Sequence, residues 1–128
     1  DILGNHDRIS LIDPVNVDDL HNAISRCFMV MTDSGGLQEE APSLAKPVIV
    51  LRKETERPEA VEAGTVVIAG VEKDDILSIA KKLLEDKAEY DKMAHAANPY
   101  GDGKASERIV SALGYEFGIL SERVSDFE

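Results

Sequence analysis

Short apolar runs rich in β-branched residues alternate with amphipathic helical stretches along this chain, and that alternation restricts the fold more than any other feature. Ile9-Ser10-Leu11-Ile12 reads as a strand closed by Asp13-Pro14. A helix is predicted over 17–26, capped by Asn16, with Asp19 three residues later as in a capping box and with Leu20, Ala23 and Ile24 on one face. Phe28-Met29-Val30-Met31 is a continuous apolar run of the kind a central parallel strand shows. A helix over 37–44 follows, which Pro42 should shorten or kink. Further strands are predicted at Pro47–Leu51 and Thr65–Ala69, with a charged loop over Arg52–Pro58 and a turn of helix over 59–62 between them. Helices over 74–84, 88–97 and 105–113 complete the pattern, the last two separated by the breaker Asn98-Pro99-Tyr100-Gly101-Asp102-Gly103. Such a βαβα order implies a parallel sheet with helices on both faces, here of about four strands, fewer than a complete six-stranded nucleotide-binding fold has.

The 128 residues suffice for one core. Hydrophobic residues at 43% make the chain globular, and no apolar run approaches the roughly 20 residues of a membrane span. A net charge of −11 argues against nucleic acid or an anionic membrane as partner, since both need clustered Lys and Arg. It does not argue against a bound phosphate, because distant carboxylates are screened beyond about 8 Å at physiological salt. Cys27, the single cysteine, cannot form an internal disulfide and is read as a buried thiol, in keeping with a cytoplasmic location. The opening Asp1-Ile2-Leu3-Gly4-Asn5 reads like the interior of a longer protein, so a fragment is expected.

The residues with the most chemistry lie where the strand ending at Met31 runs through Asp33-Ser34-Gly35-Gly36 into a helix. Ligands of open parallel sheets bind at the carboxyl ends of strands. Glycine lets a backbone come close to phosphate and allows positive φ, and the first N–H groups of a helix lack partners and carry about half a positive charge. Ser34 adds a hydroxyl, and a diphosphate fits this arrangement. A plain strand–helix turn with Ser34 as N-cap accounts for these four residues equally well. Of the adjacent Glu39 and Glu40 only one can face the site; a carboxylate there suits ribose hydroxyls rather than phosphate, and Glu39 is read as solvated. Arg57, in the loop leaving the next strand, can reach the same crevice with a guanidinium, or can pair on the surface with Glu54, Glu56 or Glu59. No metal-ligand spacing is present.

The string MTDSGGLQEEAPSLAKPVIVLRKETERPEAVEAGT, Met31 to Thr65, together with NPYGDGKASERIV, Asn98 to Val110, closely resembles the non-hydrolysing UDP-N-acetylglucosamine 2-epimerases, over nearly the whole chain to about Leu113. The resemblance implies an enzyme, an isomerase, that interconverts UDP-N-acetylglucosamine and UDP-N-acetylmannosamine by eliminating and re-adding UDP, with no cofactor. It implies two Rossmann-like domains around a cleft, the glycosyltransferase-B arrangement, of which this chain would be the C-terminal, incomplete Rossmann-like one. Residues 1–113 would bind UDP, and the tail 114–128 would cross to the missing first domain or to a neighbour. By the same resemblance Ser34, Gly35 and Gly36 hold the diphosphate, Glu40 the ribose, and Arg57 lines the cleft. Leu20 falls where the family sets a residue, often aromatic, against the uracil. The acid/base carboxylates and the cleft histidine would precede residue 1, so no catalytic residue is expected here, and His6, His21 and His95 are read as surface or capping residues. The expected partners are a UDP-sugar, the missing N-terminal domain and, through the apolar tail, further copies of the chain. Three other readings stand beside this one: a UDP-sugar glycosyltransferase domain, against which the Thr55–Glu59 loop argues; the hydrolysing epimerase branch, whose turn is richer in serine and against which Asp33-Ser34-Gly35-Gly36 argues; and a nucleotide-binding module without catalysis.

Overall fold

The computed structural model describes residues 2–125. Its elements are α1 (Val17–Arg26), β1 (Val30–Thr32), α2 (Gly35–Ser43), β2 (Val48–Val50), α3 (Pro58–Glu62), β3 (Val66–Ile68), α4 (Lys73–Glu85), α5 (Lys87–Ala94) and α6 (Ala105–Glu116). The three strands form one parallel sheet in the order β1-β2-β3, with Met31 opposite Ile49 and Ile49 opposite Val67. Val48, Ile49 and Val50 are fully buried, as a strand covered on both faces must be. Side chains alternate across a strand, so β2 feeds two cores. Val48 and Val50 pack with Ile24, Ala41, Ala60 and Val66 beneath α1, α2 and α3. Ile49 packs on the other face with Ala69 and Leu83, joined by Ile76, Ile79, Ala80 and Met93 from α4 and α5.

Local chemistry accounts for most boundaries. Asn16 Oδ1 accepts from the Asp19 N–H at 2.9 Å and its Nδ2 donates to Asp19 Oδ2 at 2.9 Å, so α1 begins where its cap dictates. Asp86 caps α5 by accepting from the N–H groups of Ala88 and Glu89. Pro42 stands inside α2, which stops one residue later; Leu44 is the C-cap, and Ala45 turns the chain with φ 56°.

Three expectations are corrected. The sheet has three strands rather than about four: residues 9–12 form no strand among the described residues. Ile9, Leu11 and Ile12 are 39%, 61% and 76% exposed, so this run has neither a ladder partner nor a face to bury, and its apolar sequence alone cannot hold it extended in a sheet. Helix α5 ends at Ala94, short of residue 97, with His95 as its cap; the His95 Nδ1 lies 2.8 Å from the Asp91 carbonyl it satisfies. Helix α6 runs on past Leu113 to Glu116 and ends at Gly118, φ 68°, where the Gly118 and Ile119 N–H groups donate to the carbonyls of Tyr115 and Gly114.

Candidate functional site

Because all three strands are parallel, the segments leaving β1, β2 and β3 emerge on one edge of the sheet. The turn after β1 is fixed by Thr32, a buried threonine whose Oγ1 accepts the Ser34 N–H at 3.0 Å. Ser34 then occupies the N-cap position of α2, yet its hydroxyl makes no capping hydrogen bond. The capping account of this serine is therefore met in position but not in bonding. Gly35 and Gly36 are the first two residues of α2, two of the four whose N–H groups a helix leaves without internal partners. The anticipated positive φ is absent at both, since each already has helical backbone. Glycine is not demanded by the fold here either: a Cβ on Gly36 would meet Glu40 Oε1 at 3.5 Å, and one on Gly35 would meet Glu56 Oε2 at 4.0 Å, both ordinary contacts. The bare backbone thus leaves room for a group brought from outside.

A chain of hydrogen bonds joins this turn to the loop after β2. Gln38, fully buried, donates from Nε2 to the Ser34 carbonyl at 3.2 Å and accepts at Oε1 from Thr55 Oγ1 at 2.6 Å. Thr55 Oγ1 in turn accepts the Arg57 N–H at 3.1 Å. Sequence reasoning missed Gln38 and Thr55. Their signal was present: a glutamine at the position one turn after Ser34, inside a helix, with a hydroxyl in the facing loop. A buried amide is kept only if its polar atoms are satisfied, so this network sets the distance between turn and loop.

Arg57 reaches the turn from the other side. Its Nε donates to Glu39 Oε1, and its NH1 donates to the Glu56 carbonyl at 3.2 Å. Glu39 is thus not merely solvated, and the pairing expected with Glu54, Glu56 or Glu59 side chains is replaced by one to α2. The hydrogen bond and charge of Glu39 raise the Arg57 guanidinium further above its already high range, so it stays cationic throughout the accessible pH range. Glu40 points elsewhere: its Oε2 lies 2.9 Å from His21 Nε2 on α1. Glu39 is committed to Arg57 and Glu40 lies beside Gly36, so both adjacent carboxylates border candidate residues where only one was expected to. Leu20, beside His21, is half-buried against the core beneath α1 and α2. The candidate residues therefore gather at the carboxyl edge between α1, α2 and the Arg52–Pro58 loop. Two open depressions continue along this edge, about 450 Å³ beside Thr55 and Pro58 and about 410 Å³ between Lys53 and Asp75; Ser34, Glu40 and Arg57 line neither.

Two groups away from this edge complete the titratable residues singled out in the sequence. His6 Nδ1 accepts the Arg8 N–H at 3.2 Å, a turn contact. Cys27, expected as a buried thiol, is only half-buried at the C-cap of α1, and that partial burial raises its thiol pKa. Among the described residues no group of three or more His, Cys, Asp or Glu side chains gathers as a metal site, and no helix is long and apolar enough to cross a membrane.

The architecture defines a Rossmann-like parallel α/β domain with its candidate ligand-binding residues at the carboxyl edge of the sheet. The family model of UDP-N-acetylglucosamine 2-epimerase matches residues 1–114. A Thermotoga maritima relative is 64% identical over 118 residues, which are 92% of this chain and 31% of the relative. The crystal structure of a UDP-N-acetylglucosamine 2-epimerase superposes with a TM-score of 0.94 at 53% identity, over 98% of this chain and 34% of that one. A structure of S. aureus MnaA with UDP superposes with a TM-score of 0.88, also at 53% identity, over 99% and 35%. The chain belongs to the UDP-N-acetylglucosamine 2-epimerase family. It spans about a third of the length of these relatives.

Proposed function

We propose that this chain is the UDP-holding part of an enzyme that interconverts UDP-N-acetylglucosamine and UDP-N-acetylmannosamine. The observation that carries the reading is the Ser34-Gly35-Gly36 turn: an uncommitted hydroxyl and two helix-terminal N–H groups at a strand's carboxyl end, in a member of a family of which one relative was solved with UDP. In this reading the diphosphate lies on Ser34, Gly35 and Gly36, the ribose on Glu40 and the uracil near Leu20. Arg57 faces the diphosphate from the loop. The reaction removes the proton at sugar carbon 2 while the bond from carbon 1 to the UDP oxygen breaks, leaving an unsaturated sugar and UDP. UDP then adds back and the proton returns to the other face. Negative charge grows on the diphosphate as UDP leaves, and preorganised N–H donors and a permanent cation stabilise that charge most where it is greatest.

The acid/base groups that move the proton belong to the part of the enzyme outside this chain. In this reading residues 1–113 form the nucleotide domain; of the tail 114–128, whose first residues complete α6 and whose residues 126–128 lie outside the described ones, the apolar part after α6 meets that missing part or a second copy. The exposure of Phe117 and Ile119, 77% and 78%, supports a partner for the tail. A cytoplasmic setting, where UDP-sugars are made and used, completes the reading. Calorimetry of UDP binding by the full-length enzyme tests it. Ser34→Ala should weaken UDP by about 1 kcal/mol, a hydrogen-bond value. Unchanged affinity in both Ser34→Ala and Glu40→Ala would refute the site.

A further inference from the structure

Helix α1 is fastened to the core by Ile24, 4% exposed, and by Leu20 packed beside it. His21 follows Leu20 directly, and its ring crosses from α1 to α2, where Nε2 lies 2.9 Å from Glu40 Oε2. The other carboxylate oxygen, Oε1, lies 3.5 Å from where a Cβ on Gly36 would stand. The two oxygens of Glu40 are thus divided, one taken by His21 and one left beside Gly36. Building on the reading of Glu40 as the ribose-binding carboxylate, we propose that His21 is a positioning residue that holds Glu40 so that Oε1 accepts from the ribose hydroxyls.

An ionised carboxylate only accepts hydrogen bonds, so the His21 Nε2 must carry the proton in this contact. A glutamate has three rotatable bonds, and one left free on the surface loses rotamer freedom when it closes on a ligand. A glutamate already held by an anchored helix loses less of it, and that saving appears as affinity. The benefit reaches only ligands that carry the hydroxyls Glu40 meets. A structural role for His21, in which it merely ties α1 to α2, would act on every ligand of the site alike.

Calorimetry on the full-length enzyme separates these, with UDP and 2′,3′-dideoxyuridine 5′-diphosphate as the two probes. His21→Ala should weaken UDP roughly fivefold and leave the dideoxy nucleotide unchanged. His21→Gln, whose amide nitrogen falls near the place of Nε2, should restore most of the UDP affinity. Equal weakening of both nucleotides by His21→Ala would overturn the inference, as would an unchanged UDP affinity in His21→Ala beside a weakened one in Glu40→Ala. If Glu40→Ala leaves the preference for UDP over the dideoxy nucleotide intact, the ribose reading itself fails and the role of His21 with it.

Discussion

Gly36 is a glycine although the chain has room for a side chain there, with a Cβ meeting only Glu40 Oε1 at 3.5 Å and Ser34 Oγ at 4.0 Å. In a helix, glycine is less stable than alanine by roughly 0.5–1 kcal/mol, because the unfolded chain gains more freedom. A residue that costs stability and is not required by the local fold is explained by something that must come close to its backbone. Gly36→Ala should therefore leave the thermal midpoint unchanged or higher while UDP affinity falls about tenfold or more. Calorimetric melting and UDP titration of the same variant check both halves, and a variant with unaltered affinity would return Gly36 to an ordinary helix start. The neighbouring side chains divide their work in a way no spacing rule conveys. Glu39 and Glu40 differ by one position, yet Glu39 meets Arg57 and Glu40 meets His21, because adjacent helical residues point about 100° apart. The sequence placed the two carboxylates on different faces; which partner each would find depended on where α1 and the loop after β2 are packed. Gln38 was invisible for the same reason, since a glutamine in a helix reads as surface until the burial of Ala41 and Pro42 around the next turn shows that it faces inward.

The helices were the legible part of the fold, because a helix closes its hydrogen bonds within itself and announces its ends by capping. Asn16 and Asp19 delimit α1 as the sequence implies, and the apolar stripe of α4 meets the sheet through Ile76, Ile79, Ala80 and Leu83. Strands are different, since pairing is non-local. The run at residues 9–12 has the composition of a strand and none of its contacts, whereas Val48–Val50 is held on both sides. Helix α6 is fixed at its start by electrostatics instead of burial: Arg108 grips Asp102 through two hydrogen bonds, 2.7 and 2.8 Å, and the Lys104 N–H donates to the same carboxylate at 3.0 Å. The hydrogen bonds from Arg108 hold the Asp102 carboxyl well below the usual carboxylate range. A carboxyl with a depressed folded pKa contributes stability above its unfolded pKa and loses it as pH falls through the folded one. The Asp102 clamp should therefore persist through pH 4, where free aspartates titrate. Following the Asp102 side-chain carbon by NMR from neutral to acid checks this, and a midpoint at the ordinary aspartate value would show that the clamp is not formed in solution.

At the scale of the whole molecule, a chain of net charge −11 can hold an anion only with local groups, and the edge of this sheet offers helix-start N–H groups, one hydroxyl and the Arg57 cation for the proposed diphosphate. Of the groups beside the turn, His21 and Glu40 are bound to each other and Glu39 to Arg57. A placed general acid or base contributes roughly 10²–10⁴-fold to such a reaction. The 128-residue chain in deuterated water should accordingly leave carbon 2 of UDP-N-acetylglucosamine undeuterated, as read by NMR. Deuterium above a buffer control would place a base among residues 1–128. The motifs at Met31–Thr65 and Asn98–Val110 carried the family, and the family match covers them, but the bonds that tie Ser34 to Arg57 through Gln38 and Thr55 came only from the fold. Binding of UDP at the turn before α2, as proposed, is checked by an amide-resolved NMR titration of this chain with UDP. The largest shifts are expected at the N–H groups of Gly35 and Gly36, smaller ones at Glu40 and Arg57, and none on α4 or α5. Shifts centred on another surface, or saturation with the Gly35 and Gly36 signals unmoved, would contradict it.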